Sequence, residues 1–252
     1  MSEAATLLPT TRDEDWRYAE PAALATLAAP DLAAWDEMVV APGESLTREC
    51  VLDAGHSGVR RLRLTLGAGA KAAIFALASA DSYTRLEVEV TLGDGAHFEF
   101  GGVTIGGGEH VREFVTRCIH AAPNATSNQV VRAVHWGRAT GNFLGRIEVA
   151  RDAQKTDAGQ NFRAILLEKG ASANTKPELE IFADDVKCAH GAAIGALDRT
   201  AGFYMAARGL PPEIVRKLQV QAFIADAFEN AEPEMGEALL DRALGVLEGA
   251  AL

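Results

Sequence analysis

Between about Ser45 and Asp198 apolar and polar residues alternate in short runs. Leu62, Leu64 and Leu66 alternate with Arg63 and Thr65, and Leu86, Val88 and Val90 alternate with Glu87 and Glu89. A period of two places successive side chains on opposite faces of an extended chain, so each run predicts a strand. Further runs of this kind are HFEF before Gly101, EHVREFVTRCIH, NQVVRAVHW, GRIEVA, RAILL and ELEIF, separated by turn signals such as GDG, GGG and PNAT. A long series of short strands fits a sandwich, a barrel or a solenoid, and no repeat of fixed length stands out.

The flanks differ in texture. Residues 1–44 are rich in Ala and Pro, with short helical possibilities such as Pro21 to Ala28, and form a lead-in to the strand-rich core at 45–198. In the C-terminal segment, 199–252, Pro211 and Pro212 suit a helix start, and Ile214, Leu218, Ala222 and Ala225 fall on one face at helical spacing. A second helix follows Pro233, with Met235, Ala238, Leu239, Ala243 and Val246 as its apolar stripe and an end near Gly249. Both helices carry another apolar edge, including Val220, Phe223, Leu240 and Leu247, which is offered as a face for a partner.

Composition narrows the function. The 252 residues are 48% hydrophobic and 23% charged, as in a globular domain, with a net charge of -11 and no cluster of Lys and Arg. Nucleic acid and anionic membrane surfaces are therefore poor partners. The start MSEAATLLPTTRDEDW has neither a basic nor an apolar leader region, and no run of roughly 18 apolar residues follows. Three widely spaced cysteines, Cys50, Cys118 and Cys188, make no disulfide framework, and a reducing cytoplasm fits them best.

Familiar catalytic signatures are missing. The glycines at Gly67 to Ala70 and Gly106 to Gly108 lack the Lys-Ser/Thr and helix of a phosphate loop and read as turns, so no nucleotide is expected on this chain. Ser57 in GHSGV is a loop residue rather than a nucleophile elbow, and Asp184 with Asp185 reads as a turn. Cys188 and His190, in DDVKCAHGAA, have metal-ligand character. On a strand they share a face but lie roughly 6.6 Å apart, which suits an open half-site completed by a facing chain. Thiolate and imidazole favour iron in clusters or zinc. C-x-H alone reads first as a buried cysteine beside a core histidine. The remaining histidines default to structural roles, with His120 and His135 held in reserve.

The stretch Gly145 to Phe228 resembles the SufB/SufD family of the SUF iron-sulfur cluster assembly system. AQKTDAGQ, TKPELEIFADDVKCAHGAAIG and FYMAARG match in order and spacing, and C-x-H-G-A beside DDV, with EDWRY at Glu14 to Tyr18, is similar to its SufD branch. The resemblance implies a right-handed parallel β-helix with C-terminal helices, and a non-catalytic scaffold that pairs with a SufB-like subunit and a SufC-like ATPase. It implies a transient iron-sulfur cluster at the SufB interface, with His190 as ligand and Cys188 beside it. Tyr204, Arg208, Leu218 and Phe223 are the expected partner-binding residues. The lead-in is shorter than the family's helical N-terminal region, and the common HGAT stands here as HGAA. The competing expectations are a metal-free homodimeric module and a polysaccharide-acting enzyme. For the enzyme the sequence offers only Glu87 and Glu89, the exposed side of a strand.

Overall fold

The computed structural model describes residues 8–248, the side chain of Asp31 excepted. Gly249, the expected end of the last helix, lies outside them. Twelve strands build two six-stranded parallel sheets. The odd sheet holds β1 (Asp36–Val40), β3 (Gly58–Leu66), β5 (Thr84–Leu92), β7 (Val111–His120), β9 (Thr140–Val149) and β11 (Ser172–Ile181), in that order. The even sheet holds β2 (Ser45–Leu52), β4 (Lys71–Ala78), β6 (His97–Gly106), β8 (Thr126–His135), β10 (Asp157–Leu166) and β12 (Lys187–Gly195). Consecutive strands alternate between sheets, so each coil adds one strand to each face. The chain is a parallel β-helix, as expected.

The register explains why no repeat length is visible. Ser45 faces Lys71 and Lys71 faces His97, steps of 26 residues, but His97 faces Thr126 and Thr126 faces Asp157, steps of 29 and 31. The coil lengthens along the chain because its corners do. What repeats is a backbone conformation: Gly43, Gly69, Gly95, Asn124 and Lys155 all have positive φ at one corner. Their amides bond upward to the next coil, Gly69 to the Asp94 carbonyl and Gly95 to that of Pro123. A stacked left-handed position is a backbone feature that three different residue types fill, so it leaves only a faint trace in sequence. The glycines at 67–69 and 106–108 sit at such corners, as read from the sequence. β1 lies inside the stretch 1–44. Only Val40 of its five residues is buried, too few for alternation to show.

Inward residues form columns between the sheets. In the first coils they are apolar, with Leu62, Leu64, Leu66, Val88, Val90 and Leu92 at 2% exposure or less. Each such side chain contributes roughly 1.5–3 kcal/mol. Along the same columns the next strand carries Thr116, Cys118 and His120, so the middle of the core turns polar. Edge-to-face Phe100 and Phe114, with centroids 5.6 Å apart, and stacked Phe143 and Phe162, at 6.0 Å, fill the remaining space.

Three helices follow the strands: α3 (Arg199–Ala207), capped by the Asp198 carboxylate on the Thr200 and Ala201 amides, α4 (Pro212–Ala225) and α5 (Pro233–Glu248). α4, the turn Asp226–Phe228 and α5 cover the outer face of the even sheet, where Phe75, Leu77, Val103, Ile105 and Val134 meet Val220, Ile224, Phe228, Leu239 and Leu247. Gly101 permits the close approach, since a β-carbon there would stand 2.0 Å from the Ala227 carbonyl oxygen. Arg132 on β8 anchors the turn through Asp226. The two faces of α4 are thus the reverse of the sequence reading. The edge with Val220 and Phe223 packs on the sheet, and Ile214, Leu218 and Ala222 are exposed. Both edges are apolar at helical spacing, and only the partner surface decides between them.

The lead-in, with α1 (Pro21–Leu24) and α2 (Ala29–Ala33), lies against the odd sheet, where Leu24, Leu27 and Leu32 cluster with Tyr83. Trp16 stacks 3.8 Å from the Arg85 guanidinium, and Trp35 lies 4.0 and 4.2 Å from those of Arg61 and Arg63. Beneath this cover, Glu87 accepts from Arg85 and Arg61, at 2.6 Å each, and is 6% exposed. This corrects the expectation of an exposed strand side. Glu89, half-buried, pairs with Arg63 at 2.8 Å. Both glutamates are engaged in ion pairs, which leaves the polysaccharide-enzyme expectation without its acids.

Candidate functional site

β12 is the terminal strand of the even sheet, and among the described residues it pairs only with β10. Its register places Cys188 against Ala158 and His190 against Gln160, so both side chains point along inward columns. Among the described residues no further coil covers them. Cys188 is half-buried at the edge of the main core, and His190 is exposed. Burial, and then the Asp157 carboxylate, raise the Cys188 thiol above its ordinary pKa. It is thus a thiol at neutral pH, and a soft cation would have to displace its proton. Among the described residues no three His, Cys, Asp or Glu side chains converge as a metal site. Cys188 and His190 therefore place one thiol and one imidazole on the same face of β12, at an open end of the solenoid.

The same end exposes apolar groups. Ile181 and Phe182 at the end of the odd sheet are 39% and 65% exposed, and Ile194 on β12 is 48% exposed. Together with two unpaired strand edges, they are surface that a soluble chain normally covers. Asp184 and Asp185 lie in the corner leading to β12, where Asp185 pairs with Lys155 and its amide donates to Gln154 Oε1 at 2.9 Å. Ser57 is exposed in the corner before β3.

Behind the pair lies a polar interior that sequence reading left as scattered residues. His120 shares a hydrogen bond with Ser127 Oγ at 2.9 Å, with Cys118 Sγ at 3.6 Å, and Thr116 donates to Gln129 Oε1 at 2.6 Å. All are buried. Burial pushes His120 down to about 4 and Cys118 up to about 12. His135 donates through Nδ1 to the Gly106 carbonyl and accepts from Thr104, both at 3.0 Å. Burial, with the Arg112 charge, holds its pKa down to about 3. The two reserve histidines are neutral core groups. Among the described residues neither has a hydrogen bond to Cys188 or His190. The only sequence signal for this interior was the change from Leu and Val to Thr, Cys and His on inward positions of β7.

The expected partner-binding residues separate into two sets. Tyr204 on α3 and Arg208 just past its end are exposed, with the guanidinium 4.7 Å from the ring, and Leu218 on α4 is 42% exposed. Phe203 at 77% and Ile214 at 42%, neither of them among the expected partner-binding residues, extend that open face. Phe223 instead turns toward the sheet, with the Arg132 guanidinium 5.8 Å from its ring, and belongs to the packed side of α4.

Known proteins carry the same core. The family model described as SUF system FeS cluster assembly, SufBD core domain, matches residues 51–223. The chain is 46% identical over 88 residues to protein ABCI7, chloroplastic, of Arabidopsis thaliana, a match covering 35% of this chain and 18% of that protein. It is 42% identical over 98 residues to iron-sulfur cluster assembly protein SufD of Escherichia coli, covering 39% and 23%. To SufD of Bacillus subtilis it is 30% identical over 133 residues, covering 53% and 30%. The matched segments thus span less than a third of each of these relatives. With the β-helix, its helical cover and the family match over most of the chain, this protein belongs to the SufB/SufD family of the SUF iron-sulfur cluster assembly system.

Proposed function

We propose that this chain is a non-catalytic scaffold subunit that joins a SufB-like subunit through the open end of its β-helix and presents His190 to a nascent iron-sulfur cluster. The observation that carries this is the uncovered β12 edge, where two side chains on inward columns are left open at the end of the stack beside exposed Ile181, Phe182 and Ile194. A second solenoid stacked on that end would extend both sheets, cover the apolar rim and bring its own side chains against His190. The cluster is then cargo assembled between two chains. His190, exposed, is the ligand, and Cys188, half-buried and protonated, stays beside it.

The open face of α3 and α4, with Phe203, Tyr204, Ile214 and Leu218, is the surface proposed for a SufC-like ATPase, with Phe223 supporting it from beneath. That ATPase would be the nucleotide-binding member. The compartment proposed is the cytoplasm. Among the described residues no helix is long and apolar enough to cross a membrane.

The experiment is co-expression with SufB-like and SufC-like partners. His190→Ala should leave the complex intact by size-exclusion chromatography and lower bound iron and cluster absorbance. Cys188→Ala should lower them less. Full iron content in the His190→Ala complex would refute the ligand assignment, and loss of the complex itself would make His190 a packing residue of the interface.

A further inference from the structure

We infer, taking His190 as the ligand proposed above, that Gln160 is its positioning residue. When a partner covers the open end, the Gln160 side-chain carbonyl accepts the N–H of one His190 ring nitrogen and so aims the other nitrogen at the metal. β10 and β12 pair in parallel with Gln160 against His190, and Gln129 on β8 lies against Gln160 from the other side. The three side chains form one inward column, with rungs roughly 4.8 Å apart.

Gln160 is held in a way that leaves one atom over. The residue is 4% exposed, and its Nε2 donates to the Glu178 carbonyl on β11 at 3.4 Å. That contact fixes which end of the amide is the nitrogen, because the reverse orientation would set two oxygens against each other. Its Oε1 is buried and has no hydrogen-bond partner among the described residues. Buried acceptors are nearly always satisfied, so a bare one calls for a donor. The lumen keeps room for this oxygen. A β-carbon at Gly145 on β9 would stand 2.0 Å from it, so a side chain there would displace the amide.

Donors stand on both neighbouring rungs. The Gln129 Oε1 is taken by the Thr116 hydroxyl at 2.6 Å, which leaves its Nε2 unpartnered among the described residues. His190 is exposed, and its imidazole has no hydrogen-bond partner among the described residues. A carbonyl oxygen has two lone pairs, so Gln160 can accept from both rungs at once. The His190 rung is the one with chemistry to gain. An imidazole that gives one nitrogen to a metal normally donates its other N–H to an acceptor, which sets the ring's tautomer and direction and raises its basicity. The other inward side chains of β10 are Ala158, Phe162 and Ala164, none of which carries an acceptor. Gln160 is therefore the residue of the supporting strand that can hold the ring.

The test is iron retention against a ferrous chelator in the co-expressed complex, with the native chain, Gln160→Leu, Gln160→Glu and His190→Ala. Gln160→Leu fills similar space without an acceptor. It should leave the complex intact by size-exclusion chromatography and the urea midpoint of the isolated chain no lower than native, since it removes a bare buried oxygen. The chelator concentration that strips half of the iron should nevertheless fall by about tenfold. Gln160→Glu keeps an acceptor in either protonation state and should bring that concentration back to within about twofold of native. Native retention in Gln160→Leu beside a loss in His190→Ala overturns the positioning role and leaves the ligand assignment standing. Full retention in both variants removes the ligand assignment itself, and the positioning role with it. A lowered urea midpoint in Gln160→Leu, or a Gln160→Glu complex that holds iron no better than Gln160→Leu, marks the amide as structural and also overturns the role.

Discussion

Two fully buried neutral histidines make the protein sensitive to mild acid, in a range above that of ordinary carboxylates. His120 is pushed from an ordinary 6.5 down to about 4, and His135 down to about 3, mainly by burial. A histidine whose folded pKa lies below its unfolded one stays neutral in the folded state. Below about pH 6.5 the unfolded chain therefore takes up protons that the folded chain refuses, and stability falls as pH drops. The loss stops growing only near each folded pKa. By pH 5 each histidine costs about 2 kcal/mol, together about 4 kcal/mol, against a total stability of roughly 5–15 kcal/mol for a domain. His56, also lowered by burial, adds in the same direction. The assay is urea unfolding followed by circular dichroism at about pH 7.5, 6 and 5, with His120→Gln and His135→Gln singly and combined. The native chain should lose midpoint steadily over that range, and the double variant should show a much flatter profile. A native midpoint as high at pH 5 as at pH 7.5, or a double variant with the full native slope, would refute the assignment of the two rings as neutral core groups.

Other perturbations separate the parts of the fold. Gly101→Ala should cost about 1–3 kcal/mol and expose α4 and α5 to limited proteolysis while the solenoid persists, because its β-carbon meets the Ala227 carbonyl. Leu218→Asp should leave urea stability within about 0.5 kcal/mol of the native chain and abolish co-purification of the proposed ATPase partner. Retained co-purification would move the docking surface elsewhere. Glu113→Gln strips the buried Arg85 of one carboxylate and weakens acceptors for Tyr83 and Asn142. It should cost about 3 kcal/mol or more in thermal or urea unfolding, and a neutral outcome would mean that Trp16 and Glu87 suffice.

How far the sequence reached follows from what each kind of pattern encodes. Alternation such as Leu62, Arg63, Leu64 is written residue by residue, so strands and turns were legible, and the motifs from Ala153 to Gly209 carried the family and with it the β-helix. The coil repeat was not legible, because the steps of 26, 29 and 31 residues are absorbed in corners whose common feature is a positive φ at Gly69, Gly95, Asn124 and Lys155. Burial was misread wherever it depended on a distant segment. Glu87 alternates like any surface residue and is covered by the lead-in. α4 has two apolar edges, and the sheet surface around Gly101, not the helix, chose Val220 and Phe223 as the inner one. Sequence alone determined that Cys188 and His190 share a strand face. Only the tertiary structure decided that this face belongs to the terminal strand of the even sheet, where no further coil among the described residues covers it, because the stacking order of parallel strands is set by long-range pairing that no local pattern records.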